Sequence, residues 1–463
     1  MPYNQEQFRW PSTMQQRARL KTFSASRSLA SVLFLCALLA LPGCMLRDAY
    51  RQMGDLEGGC IIAGTVEGER TSAGPIVVAV VESTDSTLGS TLHTADHFVL
   101  NQPGRWVFGL APGQYRILLF QSQDGSLAYQ ATDPMLVYPD EGPIDCPAGK
   151  RYADKVLNLD QAGVPEVERL LTLERGRQGL GQDLHMAGSI GQLTAFGTVT
   201  DLSDPRFDAR IARDSQWRPL DFLLNGYMGI YFLEEYDPER VPVLFVHGMN
   251  GSPGVFHDLV QDLDRERFQA WFYYYPSGLS PSDLADHLAN TMLELELRHG
   301  VERLHVVAHS MGGLLARAFL LRRDERGSIA RVGAFIPLST PWSGHDAAGR
   351  AVDSSPIVLP VWRDMAPGSA FIESLFQADA AWPAEAEKYL LFSYRPDGYV
   401  RFGQADDGVI SLASLLRPEA QASASAMVGF DTTHSGILSE STAIERVHAI
   451  LEASTPPARS PRG

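Results

Sequence analysis

Between residues 241 and 451, short apolar runs alternate with longer segments in which apolar residues recur at the spacing of one helix face. The apolar runs cover residues 243–246, 270–275, 304–308, 332–338, 389–394 and 426–429. The segments with helical periodicity cover residues 256–263, 281–298, 311–322 and 442–451. Strands that alternate with helices are typical of a mostly parallel sheet with helices on both faces. We therefore predict an α/β domain over residues 236–452.

Residues 58–150 carry a different pattern, in which short apolar runs are separated by turn residues at nearly even intervals. The runs cover residues 61–66, 76–81, 98–100, 106–108 and 115–120. This spacing predicts a small all-β sandwich that precedes the α/β domain. Residues 151–235 are less regular, and we expect a connecting region there. It is predicted to contain a helix at 165–177 and two strands, at 217–223 and 229–233, that lead into the α/β domain.

The hairpin region of the predicted sandwich contains the sequence Phe108-Gly109-Leu110-Ala111-Pro112-Gly113-Gln114-Tyr115. This sequence resembles the hairpin of transthyretin-like and carboxypeptidase-regulatory-like modules. His, Asp and Glu residues do not cluster here with the spacing of metal ligands. The resemblance therefore implies a stabilising or docking role for the sandwich.

The N-terminal segment has the pattern of an export signal. Basic residues at 17, 19, 21 and 27 precede an apolar run at 28–41, which is short for a membrane span. The run ends in Leu41-Pro42-Gly43-Cys44, which resembles a bacterial lipobox. That resemblance implies a signal peptide at 1–43, a lipidated Cys44 and a tether at 44–57, with Met45 favouring the outer membrane of the bacterial envelope. A plain signal peptide and an uncleaved anchor are the alternatives.

Composition narrows the class of protein. The chain has 463 residues, a formal charge of −16, 44% hydrophobic residues and 20% charged residues. These values are typical of a globular protein with two or three domains. We do not expect a nucleic-acid partner, because the negative charge would repel phosphate groups. The last residues, 453–463, are rich in Pro, Ser and Arg and predict a disordered tail.

Cysteine usage agrees with export. The chain has four cysteines, and loss of Cys36 with the signal and lipidation of Cys44 would leave Cys60 and Cys146. These two residues bracket the predicted sandwich, and in an oxidising compartment they can form a disulfide. Two buried free thiols are the alternative.

The strongest chemical signal surrounds Ser310. A serine hydroxyl becomes an effective nucleophile only when a base accepts its proton, so its surroundings decide its role. Ser310 lies in Ala308-His309-Ser310-Met311-Gly312, between a predicted strand and a predicted helix. This arrangement resembles the nucleophile elbow of α/β-hydrolases, with Ala308 in place of the first glycine. The resemblance implies that Ser310 is the nucleophile.

A second motif, Val246-His247-Gly248-Met249, follows the first predicted strand of the α/β domain and resembles the His-Gly loop of lipases. In that family two backbone N–H groups form an oxyanion hole. The matching residues here are Met249 and Met311. His247 is expected to hold the loop rather than to act as a base.

In α/β-hydrolases the acid follows the nucleophile in the chain, and the histidine follows the acid. His434 lies between the last predicted strand and the last predicted helix, where this order places the base. His345 precedes the acid, and His448 lies within the last helix. His345 therefore breaks the order, and His448 is expected on the solvated surface of its helix, so the resemblance points to His434.

Two aspartates compete for the role of the acid. The sequence Asp406-Asp407-Gly408 resembles the Asn-Asp-Gly segment of bacterial lipases, which points to Asp407 and leaves Asp406 as a turn former. Asp397 comes directly after a predicted strand and is the rival. We favour Asp407 on the resemblance.

Residues 339–383 lie between two predicted core strands, where this fold inserts caps and lids. The segment begins Ser339-Thr340-Pro341-Trp342-Ser343-Gly344-His345, which resembles the Gly-Thr-Pro-His turn of lipases and of glycosylphosphatidylinositol-deacylase-like hydrolases. Its large apolar residues are Trp342, Trp362, Met365, Phe371, Ile372, Leu375 and Phe376. An apolar lid that binds acyl chains and a helical cap with buried aromatic side chains both fit this composition.

The hydrolase resemblances together cover residues 221–451, about half of the chain. They imply a serine hydrolase of the lipase and esterase group, which cleaves ester or lipid substrates through an acyl-enzyme and uses no metal or organic cofactor. An acyltransferase or a peptidase with the same three residues is one alternative. A non-catalytic envelope lipoprotein that binds a partner is the other.

Overall fold

The computed structural model describes residues 47–52, 54, 58–83, 91–139, 142–163, 170–172, 191–377, 382–396 and 405–455. The predicted signal peptide, Cys44, Asp397 and residues 456–463 of the predicted tail lie outside these residues. The elements described below belong to one compact unit, residues 48–463. In this described part of the chain, no helix has both the length and the hydropathy that a membrane span requires.

The N-terminal strands form two sheets. The strands are β1 (Cys60–Glu67), β2 (Ile76–Glu82), β3 (Thr91–Leu100), β4 (Arg105–Leu110), β5 (Gly113–Gln121), β6 (Met135–Tyr138), β7 (Ile144–Cys146), β8 (Arg151–Asn158) and β9 (Leu170–Thr172). The smaller sheet has the order β4-β1-β8 and the larger has the order β6-β5-β2-β3-β9, with β7 paired to β5. Most of these pairs are antiparallel; β1–β8 and β3–β9 are parallel.

Both N-terminal sheets bury side chains in the same apolar core. Successive side chains of a strand point to opposite faces, and β1 alternates between buried and half-buried positions along its length. Ile62 and Trp106 enter this core from the smaller sheet, and Val78 and Ile117 enter it from the larger one. The two sheets therefore share one core, whereas side chains on the other face of the larger sheet, such as Val77 and Leu118, belong to a second cluster.

The large sheet contains the C-terminal strands. They are β10 (Ala195–Val199), β11 (Gly229–Phe232), β12 (Val241–Val246), β13 (Phe268–Tyr274), β14 (Arg303–His309), β15 (Arg331–Leu338), β16 (Glu387–Ser393) and β17 (Ala426–Phe430). Their order is β10-β11-β13-β12-β14-β15-β16-β17. The β11–β13 pair is antiparallel and the other pairs are parallel. The sheet is therefore mostly parallel, as the alternating pattern predicts.

Helices cover both faces of this sheet. They are α1 (Ala209–Asp214), α2 (Pro219–Leu224), α3 (His257–Gln261), α4 (Pro281–His299), α5 (Met311–Arg326), α6 (Asp346–Ser354), α7 (Pro360–Met365), α8 (Ala370–Gln377), α9 (Leu412–Leu415), α10 (Pro418–Ala422) and α11 (Ser441–Ala453). Strand β12 shows how the two faces are filled. Leu244 and Val246 join the core cluster that contains side chains of α4 and α5, whereas Val243 and Phe245 join the cluster that contains those of α3 and α11.

Two predictions for the connecting region are wrong in the described residues. Residues 217–223, predicted as a strand, overlap α2, which begins with Pro219 and buries Leu220 and Leu223 on one helical face. The predicted helix at 165–177 contains β9 in its described part, residues 170–172. There the edge of β3 supplies backbone hydrogen-bond partners, which a sequence pattern cannot show.

The segment at 339–383 contains α6, α7 and α8. In its described part, Trp342, Met365, Phe371, Ile372 and Leu375 are buried in the cluster that also contains side chains of α4 and α5. Side chains that fill a core are not available to contact a lipid surface. The packing therefore favours the helical cap over the apolar lid.

The disulfide supports one prediction about stability. Cys60 and Cys146 are joined by a disulfide that spans 86 residues of chain, so it restricts the unfolded chain strongly. Replacing both residues with Ser should lower the free energy of unfolding by about 4 kcal/mol, measured by urea denaturation with circular dichroism. Reduction of the wild-type protein is the control and should reproduce the loss. Equal midpoints for the oxidised, reduced and double-Ser proteins would contradict the prediction.

Candidate active site

The predicted site residues lie at one edge of the large sheet. Parallel strands end at the same edge, and the loops that leave β12, β14, β16 and β17 carry the oxyanion-loop motif, Ser310, Asp407 and His434 respectively. Residues that are far apart in the sequence therefore meet in space. This edge is where ligands bind in open α/β sheets.

Ser310 occupies a sharp turn between β14 and α5. Its φ of 52° lies in the left-handed region, which is costly for a residue with a side chain. The turn is fixed by the Ser310 N–H, which donates to the Leu338 carbonyl at 2.8 Å, and by the Gly313 N–H, which donates to the Ser310 carbonyl at 2.9 Å. The hydroxyl is thus presented from a backbone that its neighbours hold in place.

The structure brings Ser310, His434 and Asp407 into one hydrogen-bonded chain. His434 Nε2 lies 2.9 Å from Ser310 Oγ, and His434 Nδ1 lies 2.7 Å from Asp407 Oδ2. A carboxylate can only accept a hydrogen bond, so Nδ1 carries the proton in the neutral imidazole and Nε2 keeps a lone pair. That lone pair faces the serine hydroxyl, as a general base requires.

Asp407 is fully buried and held in its ionised form. Burial alone would raise the pKa of its carboxyl, but the hydrogen bond and charge of His434, the Ile410 N–H and the Ser393 hydroxyl outweigh burial and hold the pKa below its usual range. The Ser393 hydroxyl donates to Oδ2 at 2.8 Å, and the N–H groups of Val409 and Ile410 donate to Oδ1 at 3.1 and 2.8 Å. The carboxylate therefore keeps a negative charge to orient His434.

Ser393 is a site residue that the sequence analysis missed. It ends β16, and its own N–H donates to Ser339 Oγ at 3.1 Å, directly after β15. Ser339 has a φ of 48°, so it lies in a second strained turn. This turn holds Ser393, whose hydroxyl donates to Asp407. Only the pairing of β15 with β16 brings Ser339 and Ser393 together, and the sequence motifs do not indicate this contact.

Among the described residues, the other candidate acid and bases make different hydrogen bonds. Asp406 accepts the Gly408 N–H at 3.0 Å, which is the turn-forming role predicted for it. The Nε2–H of His345 donates to the Val409 carbonyl at 3.2 Å, and that of His448 donates to the Leu259 carbonyl at 2.9 Å on α3. Neither histidine is bonded to the serine hydroxyl.

His247 holds its own loop, as expected from the sequence. Its ring stacks on Tyr275 with 4.0 Å between the ring centroids. Its Nδ1–H donates to the Gly248 carbonyl at 2.8 Å, and its Nε2 accepts the Tyr275 N–H at 3.3 Å. Burial lowers the pKa of His247 to about 4, so the ring is neutral near pH 7.

The oxyanion-loop motif lies directly against the nucleophile turn. A Cβ added to Gly248 would lie 2.9 Å from the Ser310 Cβ, and one added to Gly312 would lie 2.3 Å from the His247 carbonyl oxygen. Only glycine allows two backbones to approach so closely. Met249, the next residue after Gly248, and Met311, the first residue of α5, therefore lie on the two loops that meet at Ser310.

Comparisons with known proteins address the fold. A family model described as "alpha/beta hydrolase fold" matches residues 241–348, which contain both the oxyanion-loop motif and Ser310 but end before Asp407. No curated protein matches the chain.

Solved structures give weaker likenesses. They include a mature lipase from Bacillus licheniformis (18% identity, 48% of this chain, 95% of that chain, TM-score 0.37). They also include the lin2722 gene product of Listeria innocua (16%, 46%, 94%, 0.36) and lipase B of Aspergillus fumigatus (14%, 48%, 56%, 0.35). TM-scores this low say nothing about activity. The sheet order and the family match together establish that the fold is that of the α/β-hydrolases.

Proposed function

We propose that the protein is a serine hydrolase that cleaves carboxylic esters, with Ser310 as nucleophile, His434 as base and Asp407 as the acid that orients it. The observation that carries the proposal is the hydrogen-bonded chain from Asp407 through His434 to Ser310. Its two distances, 2.7 and 2.9 Å, lie within the range that proton transfer requires. Hydrolysis is preferred to acyl transfer because its second substrate is water, which requires no additional binding site.

The reaction follows from this geometry. His434 Nε2 accepts the Ser310 proton while Oγ attacks the ester carbonyl carbon, and the backbone N–H groups of Met249 and Met311 stabilise the oxyanion. Collapse of the tetrahedral intermediate expels the alcohol, which takes the proton from His434 and leaves an acyl-Ser310 ester. Water then attacks this ester with His434 again as base, and the carboxylic acid leaves. The free enzyme is restored.

We extend the proposal to lipid esters and to the bacterial envelope. The lipase-like motifs support a lipid substrate, and the lipobox-like sequence at Cys44 supports anchoring in a membrane, with the outer membrane favoured. The anchor would place the enzyme where amphiphilic esters are concentrated. A transferase would use the same acyl-enzyme and differ only in the acceptor. If that alternative holds, added alcohols should give new esters in place of the free carboxylic acid.

Replacing Ser310 with Ala should abolish ester hydrolysis, because the attacking oxygen is lost. We expect kcat for p-nitrophenyl butyrate and p-nitrophenyl palmitate to fall roughly 10⁶-fold. Comparing the two esters with the wild-type protein also measures the preference for acyl-chain length. Equal rates for wild type and the Ala variant would overturn the enzyme assignment.

The adjacent aspartates provide a matched test of the acid. Asp407→Asn should lower kcat by roughly 10⁴-fold, because an amide at this position favours the wrong tautomer of His434. Asp406→Asn removes a charge but keeps an oxygen that can accept the Gly408 N–H, so its kcat should stay within about fivefold of wild type. Asp397→Asn should also leave kcat nearly unchanged. A large loss in the Asp397 variant together with a small loss in the Asp407 variant would transfer the role to Asp397.

The anchor is tested separately from catalysis. Cells fed with radiolabelled palmitate should label the wild-type protein, and Cys44→Ala should lose the label because no other residue matches the lipobox cysteine. Ser310→Ala serves as the control and should keep the label. Label that persists in the Cys44 variant would rule out this anchor.

A further inference from the structure

His309 is a buried histidine at the site that the proposed reaction does not use. It is the last residue of β14, directly before Ser310, and only 7% of its surface is exposed. Its Nε2 lies 3.0 Å from the backbone carbonyl oxygen of His434. The centroids of the two imidazole rings are 5.0 Å apart.

The hydrogen bond defines the state of the His309 ring. A carbonyl oxygen can only accept, so His309 Nε2 carries the proton and donates it. Burial and the neighbouring His434 lower the pKa of His309 to about 3, which keeps the ring neutral at working pH. The donor is therefore committed to the His434 carbonyl, and the Ser310 hydroxyl is hydrogen-bonded to Nε2 of His434.

The main chain of His434 is held at both of its polar groups. Its N–H donates to the backbone carbonyl of Asp407 at 2.9 Å, and its C=O accepts from His309. The backbone of the base is thus tied to the acid on one side and to the nucleophile strand on the other. His309 itself is anchored, because β14 and β15 pair at His309 and Leu338.

These contacts matter because the base comes from a loop. Residues 431–435 follow the end of β17 and belong to no strand, whereas Ser310 follows a central strand of the sheet. A shift of about 1 Å between reacting groups can cost a rate factor of about 100. A hydrogen bond from the nucleophile strand to the base loop sets the separation of the two groups directly.

We propose that His309 is a positioning residue, which holds His434 at the correct distance and angle from Ser310 through its hydrogen bond to the His434 carbonyl. This proposal rests on the proposed function of Ser310 and His434. It concerns the base loop, so loss of His309 should reduce the chemical steps and leave substrate binding unchanged.

The test compares three replacements in the full chain. His309→Leu removes the donor, His309→Gln keeps an N–H at about the reach of Nε2, and His309→Asn keeps the amide but is one methylene too short. We expect the Leu and Asn variants to lose about 10- to 100-fold in kcat for p-nitrophenyl butyrate, with KM unchanged. The Gln variant should recover to within about threefold of wild type.

His448 supplies a matched control. It too donates from Nε2 to a backbone carbonyl, that of Leu259, at 2.9 Å, and its bond joins α11 to α3 rather than to the site. His448→Leu should therefore leave kcat unchanged. Melting temperatures of all the variants separate loss of folding from loss of positioning, and the Gln and Asn pair carries the test if the Leu variant does not fold.

A second readout avoids turnover altogether. A fluorophosphonate modifies an activated serine, so its rate of reaction with Ser310 reports the serine and histidine geometry directly. That rate should fall in the Leu and Asn variants by the same factor as kcat. Full kcat in the Leu variant, equal losses in the Gln and Asn variants, or a change in KM alone would overturn the proposal. Full activity in Ser310→Ala would instead refute the proposed function. The Ser310 variant therefore tests the proposed function, and the His309 variants test the positioning role.

Discussion

The hydrogen bond between Asp407 and His434 is the interaction on which the rest of the site depends. It fixes the proton on Nδ1 and therefore leaves the lone pair of Nε2 directed at the Ser310 hydroxyl. Asp407 can carry its charge while fully buried because His434, two backbone N–H groups and the Ser393 hydroxyl surround it. Without these partners, burial would favour the neutral acid, which cannot orient the base in this way.

The fold brings these groups together by means of strained and closely packed turns. Ser310 and Ser339 both have positive φ values, and each follows a parallel strand at the same edge of the sheet. The turns after β12 and β14 approach so closely that Gly248 and Gly312 have no room for a side chain. Such strain persists only where surrounding structure enforces it, and here two parallel strands and their ladders do so.

Much of the fold could be predicted from the sequence, because burial leaves a periodic pattern. The apolar runs at 243–246 and 304–308 lie within β12 and β14, and the helical pattern at 281–298 lies within α4. Residues 217–223 were predicted wrongly as a strand. That segment is short, and its apolar residues fit a strand as well as the single helical face that α2 buries.

Some residues of the site could also be predicted from the sequence, and others could not. Ser310 and the Gly248 loop were recognisable because their chemistry depends on neighbours in the chain, where small residues permit sharp turns. The contribution of Ser393 could not be recognised from the sequence, because it depends on the pairing of β15 with β16. His309 lies within the nucleophile motif, but its hydrogen bond to the His434 carbonyl joins residues 125 positions apart. The sequence therefore could not indicate this contact.

A nucleophilic Ser310 must form a covalent acyl intermediate during turnover. Rapid mixing with a p-nitrophenyl ester, acid quenching and peptide mass spectrometry would measure it most directly. We predict an acyl group on the peptide that contains Ser310, formed in step with the release of p-nitrophenol. An acyl group on another residue, or turnover of the ester without any acylated peptide, would contradict the role of Ser310 as nucleophile.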